Sequence, residues 1–266
     1  MKKAIEKWLI IPDLQIPFED HRSLAAVEQF MMDTQASDEP FTGWLQIGDL
    51  LDFDELSKYH LGEEGSVASE LHDSYEAGNT FLDRHQKIMR AGYRNARFVL
   101  LEGNHDFRAY QSALKDEYKK FRGYLNYKKM LRLEERKIKW VRSWKDGEEF
   151  KLGKAHFTHG LYTNQYHARK MVQNWGDPIY YGHTHDVMEM PVIQRGHDRT
   201  IVGKSLGCLC RYDQAYLKGH PTNWQQAFAI FYIFPDGYFT EHTIRIFKHR
   251  FHAYGKTYDG AKLLNY

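Results

Sequence analysis

Five short segments of this chain end in side chains that bind metal ions or move protons. In order they are Asp13-Leu14-Gln15, Gly48-Asp49-Leu50-Leu51-Asp52, Gly103-Asn104-His105-Asp106, Thr158-His159-Gly160 and Gly182-His183-Thr184-His185. Asp, Asn and His form a mixed oxygen and nitrogen donor set, which suits Mn, Fe, Zn or Ni better than Ca or Mg alone. A carboxylate shared by two cations reduces their mutual repulsion, and two such ions can clamp a phosphoryl group while activating a water. The expected chemistry is hydrolytic. Each segment alone says little, because a strand-end Asp often caps a helix and Gly-Asn often makes an ordinary turn. The ordered series carries the inference.

Each of the five segments follows a short β-rich apolar run, at 8–11, 44–47, 97–101, 155–158 and 179–181. Five strands thus deliver polar side chains to what would be one edge of a sheet, where ligand sites of open α/β sheets lie. Helical spacing of apolar residues predicts helices over 23–32 and 66–91, and less regular patterns predict two more over 115–133 and 163–174. Near the C-terminus, 227–234 and 238–247 flank Pro235-Asp236-Gly237 and predict a hairpin that closes a sheet. The fold class expected is α/β, in one compact domain over 1–266, since no repeat or Gly/Ser-rich linker divides the chain. Residues 107–150 break the strand-helix rhythm and are expected to form a basic helical insertion or cap.

The 266 residues are 42% hydrophobic, enough for a sizeable core. Apolar runs are far shorter than the roughly 20 residues of a membrane-spanning helix, and the N-terminus lacks the pattern of a signal peptide. A cytoplasmic protein without a membrane partner is expected. Cys208 and Cys210 are expected on opposite faces of a strand-like segment, so no disulfide framework is anticipated. The net charge of +2 is uneven: residues 107–145 hold eight Lys and five Arg against four acidic residues, a net of +9. Such a patch can steer a phosphate-rich partner, or it can be a solvated helical face.

The motifs Asp13-x-Gln15, Gly48-Asp49-x-x-Asp52, Gly103-Asn104-His105-Asp106, His159 and Gly182-His183-x-His185 resemble the calcineurin-like metallophosphoesterase superfamily over residues 13–185. The resemblance implies a four-layer α/β/β/α sandwich, two divalent metal ions and a phosphate-ester substrate. It implies that Asp13, Asp49 and His185 hold one metal with Asp49 bridging, and that Asn104, His159 and His183 complete the second. His105 matches the family histidine that contacts the scissile phosphate and protonates the leaving oxygen, with Asn104 beside it at the substrate and Asp52 as catalytic support. The family pattern has His where this chain has Gln15. An amide oxygen there, bound directly or through water, favours harder ions such as Mn over Zn. Mn is therefore the first expectation, with Fe, Zn, Ni and Mg as others. The same Gln occurs in a branch resembling manganese-dependent ADP-ribose and CDP-alcohol pyrophosphatases.

For the substrate, nucleic acid is favoured, single-stranded or duplex DNA. The basic segment interleaves its cations with Tyr110, Tyr118, Phe121, Tyr124, Tyr127, Trp140 and Trp144, and residues 245–262 repeat the mixture with Phe247, Phe251, Tyr254 and Tyr258. About half of these aromatics are expected to be core. A small-molecule nucleotide pyrophosphatase or phosphodiesterase is the first alternative and a non-catalytic metal-binding module the second. His60 follows the Asp49 loop and is expected to line the substrate groove. His21, His72 and His85 are expected on the surface or in packing, and Ser205, Cys208 and Tyr212 in the core or at the rim.

Overall fold

The computed structural model describes residues 4–57, 64–193, 200–214 and 217–263, excluding the side chains of 64–66, 117 and 121. His60 lies outside the described residues. The strands run β1 Glu6–Ile11, β2 Gly43–Gln46, β3 Arg97–Leu101, β4 Ile138–Val141, β5 Phe150–Leu152, β6 Ala155–Phe157, β7 Ile179–Tyr181, β8 Glu189–Val192, β9 Ile201–Ser205, β10 Ala227–Ile233, β11 Phe239–Arg245, β12 Arg250–Ala253 and β13 Lys256–Asp259. The helices are α1 His21–Gln35, α2 Glu64–Gly92, α3 Asp106–Ala113, α4 Tyr127–Met130, α5 Ser143–Asp146, α6 His167–Trp175 and α7 Gly260–Leu263. No helix among the described residues is long and apolar enough to cross a membrane.

Six strands form one sheet in the order β11-β10-β1-β2-β3-β4, and five form another in the order β5-β6-β7-β9-β8. β1 through β4 are parallel, and β10 and β11 join antiparallel as the predicted hairpin. Side chains alternate across a strand, and here the two faces meet different partners. Trp8, Ile10, Leu45, Ile47, Val99, Leu101, Ala229 and Phe231 share a core with Leu152, Phe157 and Tyr180 of the second sheet. Their neighbours Leu9, Ile11, Trp44, Phe98, Leu100, Phe228 and Ile230 pack instead with Phe30 of α1 and Phe81 of α2. The outer face of the second sheet, with Ile179, Tyr181 and Ile201, is covered by Met171 and Val172 of α6. Strands buried on both faces explain why their sequences read as continuous apolar runs.

The helix expected over 115–133 is not continuous. A 3-10 turn at Asp116–Phe121 gives way to α4, which Asn126 caps by accepting from the Lys129 N–H at 3.2 Å. Within the basic segment, β4 adds the edge strand beside β3, and Lys139 and Trp140 between buried Ile138 and Val141 had hidden it. Phe251 and Tyr258 are buried against Phe30 at 5.8 and 5.3 Å between ring centroids, so they belong to the core.

Phe231 joins the two sheets: its ring lies 5.0 Å from Phe157 and 4.8 Å from Tyr180. Phe231→Ala is expected to cost about 3–5 kcal/mol of stability, read by urea titration. A cost below about 1 kcal/mol would mean that the sheets do not share this core.

Candidate metal centre

The parallel strands all point their C-terminal ends the same way, and the loops that follow β1, β2, β3, β6 and β7 converge. The five strands belong to two sheets rather than one, three from the first and two from the second. Apolar runs record burial but not sheet membership, which is why the sequence suggested a single edge.

Tight backbone turns aim the side chains. Gln15, Asp49, Phe53, His183 and His185 all have φ between 51° and 68°, in the left-handed region that non-glycine residues rarely adopt. Strained backbone of this kind persists where surrounding contacts fix it, commonly at functional sites. Asp106 supplies such contacts at β2 and β3. Its carboxylate accepts from the Asp49 N–H at 2.8 Å, the Leu51 N–H at 3.2 Å, the Gly103 N–H at 2.9 Å and the Tyr127 hydroxyl at 2.8 Å. Close approach also demands glycine at two places. A Cβ on Gly103 would stand 2.0 Å from Asp49 Oδ1, and one on Gly182 would stand 2.2 Å from Asp13 Oδ1.

Among the described residues two three-donor clusters share Asp49: Asp13, Asp49 and His185 form one and Asp49, His159 and His183 the other, with donor atoms within 4.8 Å of one another. His185 Nε2 lies 3.0 Å from Asp13 Oδ2, and His159 Nε2 lies 3.4 Å from Asp49 Oδ2. Asn104 joins the second cluster, its Oδ1 being 2.9 Å from His159 Nε2 and 2.8 Å from His183 Nδ1. His159 Nδ1 is 3.0 Å from the Ile47 carbonyl oxygen, so in the neutral ring the proton sits there and Nε2 turns its lone pair to the cluster. Asp13 Oδ1 is buried without a hydrogen-bond partner. An orphaned carboxylate oxygen beside imidazole and amide donors fits a divalent cation of the kind held by mixed oxygen and nitrogen ligands.

The remaining predicted residues lie at the edge of these clusters. His105 Nδ1 is 3.0 Å from the Asp52 backbone oxygen and 2.8 Å from its carboxylate, while Nε2 faces Gln15 Nε2 at 3.3 Å. Gln15 Oε1 accepts from Gln214 Nε2 at 2.7 Å. Arg108, which the sequence did not single out, reaches His105 Nε2 at 3.4 Å and donates to the Asp52 carbonyl at 2.9 Å. It sits one helical turn beyond the cluster, an i, i+3 relation to His105 that could have marked it. Trp144 stands over His183 at 5.0 Å and His159 at 5.8 Å between ring centroids. Outside the clusters, His21 and His72 are exposed, and His85 is buried where it accepts from the Trp44 indole at 3.1 Å. Ser205 is buried and donates to Asp186 at 2.8 Å, while the Tyr212 hydroxyl accepts from the Gln226 N–H at 2.7 Å.

Cys208 and Cys210 do not face opposite ways. Residues i and i+2 of an extended segment share a face, and both thiols are buried beside His185.

Charge is unevenly balanced in this pocket. Burial opposes ionisation of Asp49, but the His159 and His105 charges outweigh it and hold the carboxyl well below the usual range. Burial together with the Asp49 charge pushes Asp106 up to about 7. Burial opposes the charge on His159 and His185, yet Asp49 lifts His159 to about 9 and Asp13 lifts His185 to about 8. Burial and the neighbouring His159 lower His183 to about 3. Without a cation, the raised pKa values of His159 and His185 contribute stability that is complete below 6.5 and lost as pH rises through 8 to 9. A cation that takes these nitrogens displaces their protons, so it binds more tightly as pH rises. The melting temperature of metal-stripped chain is therefore expected to fall from pH about 6 to about 9, and Mn(II) to raise it more at the upper pH. An equal Mn(II) shift at both pH values would show that these histidines do not bind the ion.

No protein-family model matches the chain. It is 28% identical over 236 residues to the Gene 54 protein of Mycobacterium phage D29, covering 84% of this chain and 87% of that one. It is 24% identical over 235 residues to the Gene 54 protein of Mycobacterium phage L5, with coverage of 84% and 87%. Among solved structures it is similar to Chaetomium thermophilum Vps29, with a TM-score of 0.42, 11% identity and coverage of 96% and 99%. It is also similar to Pseudomonas putida nuclease MPE, with a TM-score of 0.33, 16% identity and coverage of 85% and 84%. These likenesses are too distant to carry a function across.

Proposed function

We propose that this chain is a binuclear metal-dependent phosphodiesterase of the calcineurin-like metallophosphoesterase superfamily. One observation carries the proposal: Asp49 is shared by two three-donor clusters, the arrangement that two closely spaced cations require. The helix, sheet, sheet and helix layers around the three cores favour the four-layer α/β/β/α sandwich that the motifs imply.

When bound, two divalent cations supply Lewis acidity toward phosphoryl oxygens and lower the pKa of water. The chain's own groups do the rest. Asp13, Asp49 and His185 would hold one ion, and Asn104, His159 and His183 would complete the second with Asp49 between them. Burial opposes a charge on His105, but Asp49 and Asp52 outweigh it and raise its pKa. The Asp52 contact fixes the orientation of the ring, and a proton on it would go to a leaving oxygen. Arg108 brings a guanidinium beside the same ring, suited to an anionic phosphate oxygen. Gln15 is held between Gln214 and His105, with its amide nitrogen toward that ring.

For the substrate we favour nucleic acid. The basic segment begins at the site with α3 and returns to it at Trp144, where Lys145 and Arg142 lie 3.7 and 5.5 Å from the Tyr110 ring centre. Lys119, Lys120, Arg122, Lys128 and Lys129 are exposed along the way. Not all of the charge is available: Arg136 is buried and bound to Asn79 and Asp83.

Hydrolysis of bis-para-nitrophenyl phosphate with Mn(II) tests the activity, and its absence with every divalent metal would refute the proposal. Asp49→Asn is expected to lose bound metal and activity together. His105→Ala is expected to keep its metal and lose about 10²–10⁴-fold in rate, less on an activated ester than on an unactivated one. Neutralising Lys119, Lys120, Arg122, Lys128 and Lys129 together is expected to weaken cleavage of single-stranded DNA and flatten its salt dependence, while sparing the small diester. Unchanged DNA cleavage at every salt concentration would transfer the proposal to a small nucleotide or pyrophosphate substrate.

A further inference from the structure

We propose that Cys208, Cys210 and His185 form a further cation site, selective for a thiophilic ion such as Zn(II) or Cd(II), which competes with the Asp13–Asp49 cluster for the His185 ring. The competition rests on the metal centre proposed above, whereas the thiol site stands on its own geometry.

The fold places these groups together by pairing the segment at 208–210 with two others. Cys208 bridges to Asp13 and Gln226, Cys210 bridges to Glu19, and the Leu209 N–H donates to the Asp13 carbonyl at 2.7 Å. This pins the extended conformation in which residues two apart share a face. Both thiols are wholly buried and free of any disulfide. One sulfur from each cysteine and one nitrogen of His185 lie within 4.8 Å of one another. Cys210 Sγ is 3.8 Å from His185 Nδ1. A tetrahedral Zn(II) with bonds of about 2.3 Å to sulfur and about 2.0 Å to nitrogen sets those two atoms about 3.5 Å apart. That pair is therefore within a few tenths of an ångström of the spacing such an ion sets.

The donors select the guest. Two thiolates and an imidazole favour soft or borderline ions over Mn(II) or Mg(II), and binding sends the two thiol protons to solvent. His185 has φ of 59°, and its ring meets Trp224 edge-on at 4.3 Å between centroids, which fixes its plane. Its two nitrogens consequently look in opposite directions, Nε2 to Asp13 Oδ2 at 3.0 Å and Nδ1 to Cys210. A neutral imidazole has one lone pair for coordination. An ion between the thiols takes Nδ1, leaves the ring N–H on Nε2, and turns the contact with Asp13 into a hydrogen bond. The first cluster is then left with two carboxylates and no imidazole.

The test is a titration of the reduced, metal-stripped full chain with Cd(II), followed by the ultraviolet thiolate-to-cadmium charge-transfer absorption. The parent is expected to develop the band, Asp49→Asn to retain it, and the Cys208→Ser/Cys210→Ser double variant, its fold checked by circular dichroism, to lose it. Absence of the band in folded parent overturns the site, whatever the double variant does. If the parent hydrolyses a diester with Mn(II), Cd(II) inhibition is expected to weaken by about tenfold or more in the double variant. Equal inhibition of both proteins overturns the competition. A parent with no diesterase activity removes the phosphodiesterase proposal, and the absorption band still decides the thiol site.

Discussion

Burying the Asp49 carboxylate is the constraint around which this structure is arranged. An ionised carboxylate removed from water costs several kcal/mol unless it is paired and hydrogen-bonded. Asp49 is 1% exposed, and Asp13, Asp52 and Asp106 are buried beside it. The protein answers with the His105 backbone N–H at 2.8 Å and with nearby imidazoles, and burial together with the Asp49 charge raises Asp106 to about 7. Divalent cations would pair with these carboxylates in place of imidazole protons, and Asp13 Oδ1 is buried without a hydrogen-bond partner. The positive φ angles, the glycines at 103 and 182, and the carboxylate of Asp106 all hold the ring of donors in place.

The pairing of the two sheets serves the same end. Parallel strands bring their C-terminal ends to one side, and the shared core of Trp8, Phe157, Tyr180 and Phe231 fixes the spacing of the two sheets. The loops that carry Asp49, from the first sheet, and His159 and His183, from the second, thereby start from strand ends whose spacing the packed core sets. Donors close to the ends of rigid elements hold their geometry better than donors on long free loops.

Much of this could be read from the residue order. The strands before Asp13, Asp49, Asn104, His159 and His183 are largely apolar, and an apolar run ending in Asp, Asn or His is visible without a structure. The C-terminal hairpin was equally plain, because Pro-Asp-Gly separates two β-rich runs. Other features depend on contacts distant in sequence. The four hydrogen bonds of Asp106 span up to 57 residues, and no local pattern announces them. Gln214 meets Gln15 across 199 positions. Strand β4 was concealed because it is an edge strand whose exposed Lys139 belongs to the basic run. Cys208 and Cys210 show a different failure: the period of an extended chain places them on one face, and the expectation of opposite faces misapplied it.

Anomalous scattering from crystals of the Mn(II)-loaded chain, recorded at the manganese absorption edge, addresses the shared carboxylate most directly. Two peaks about 3.5–4 Å apart, flanking the Asp49 carboxylate with His185 at one and His159 and His183 at the other, are the expected result. A single peak, or a pair of peaks that does not share Asp49, would contradict the account.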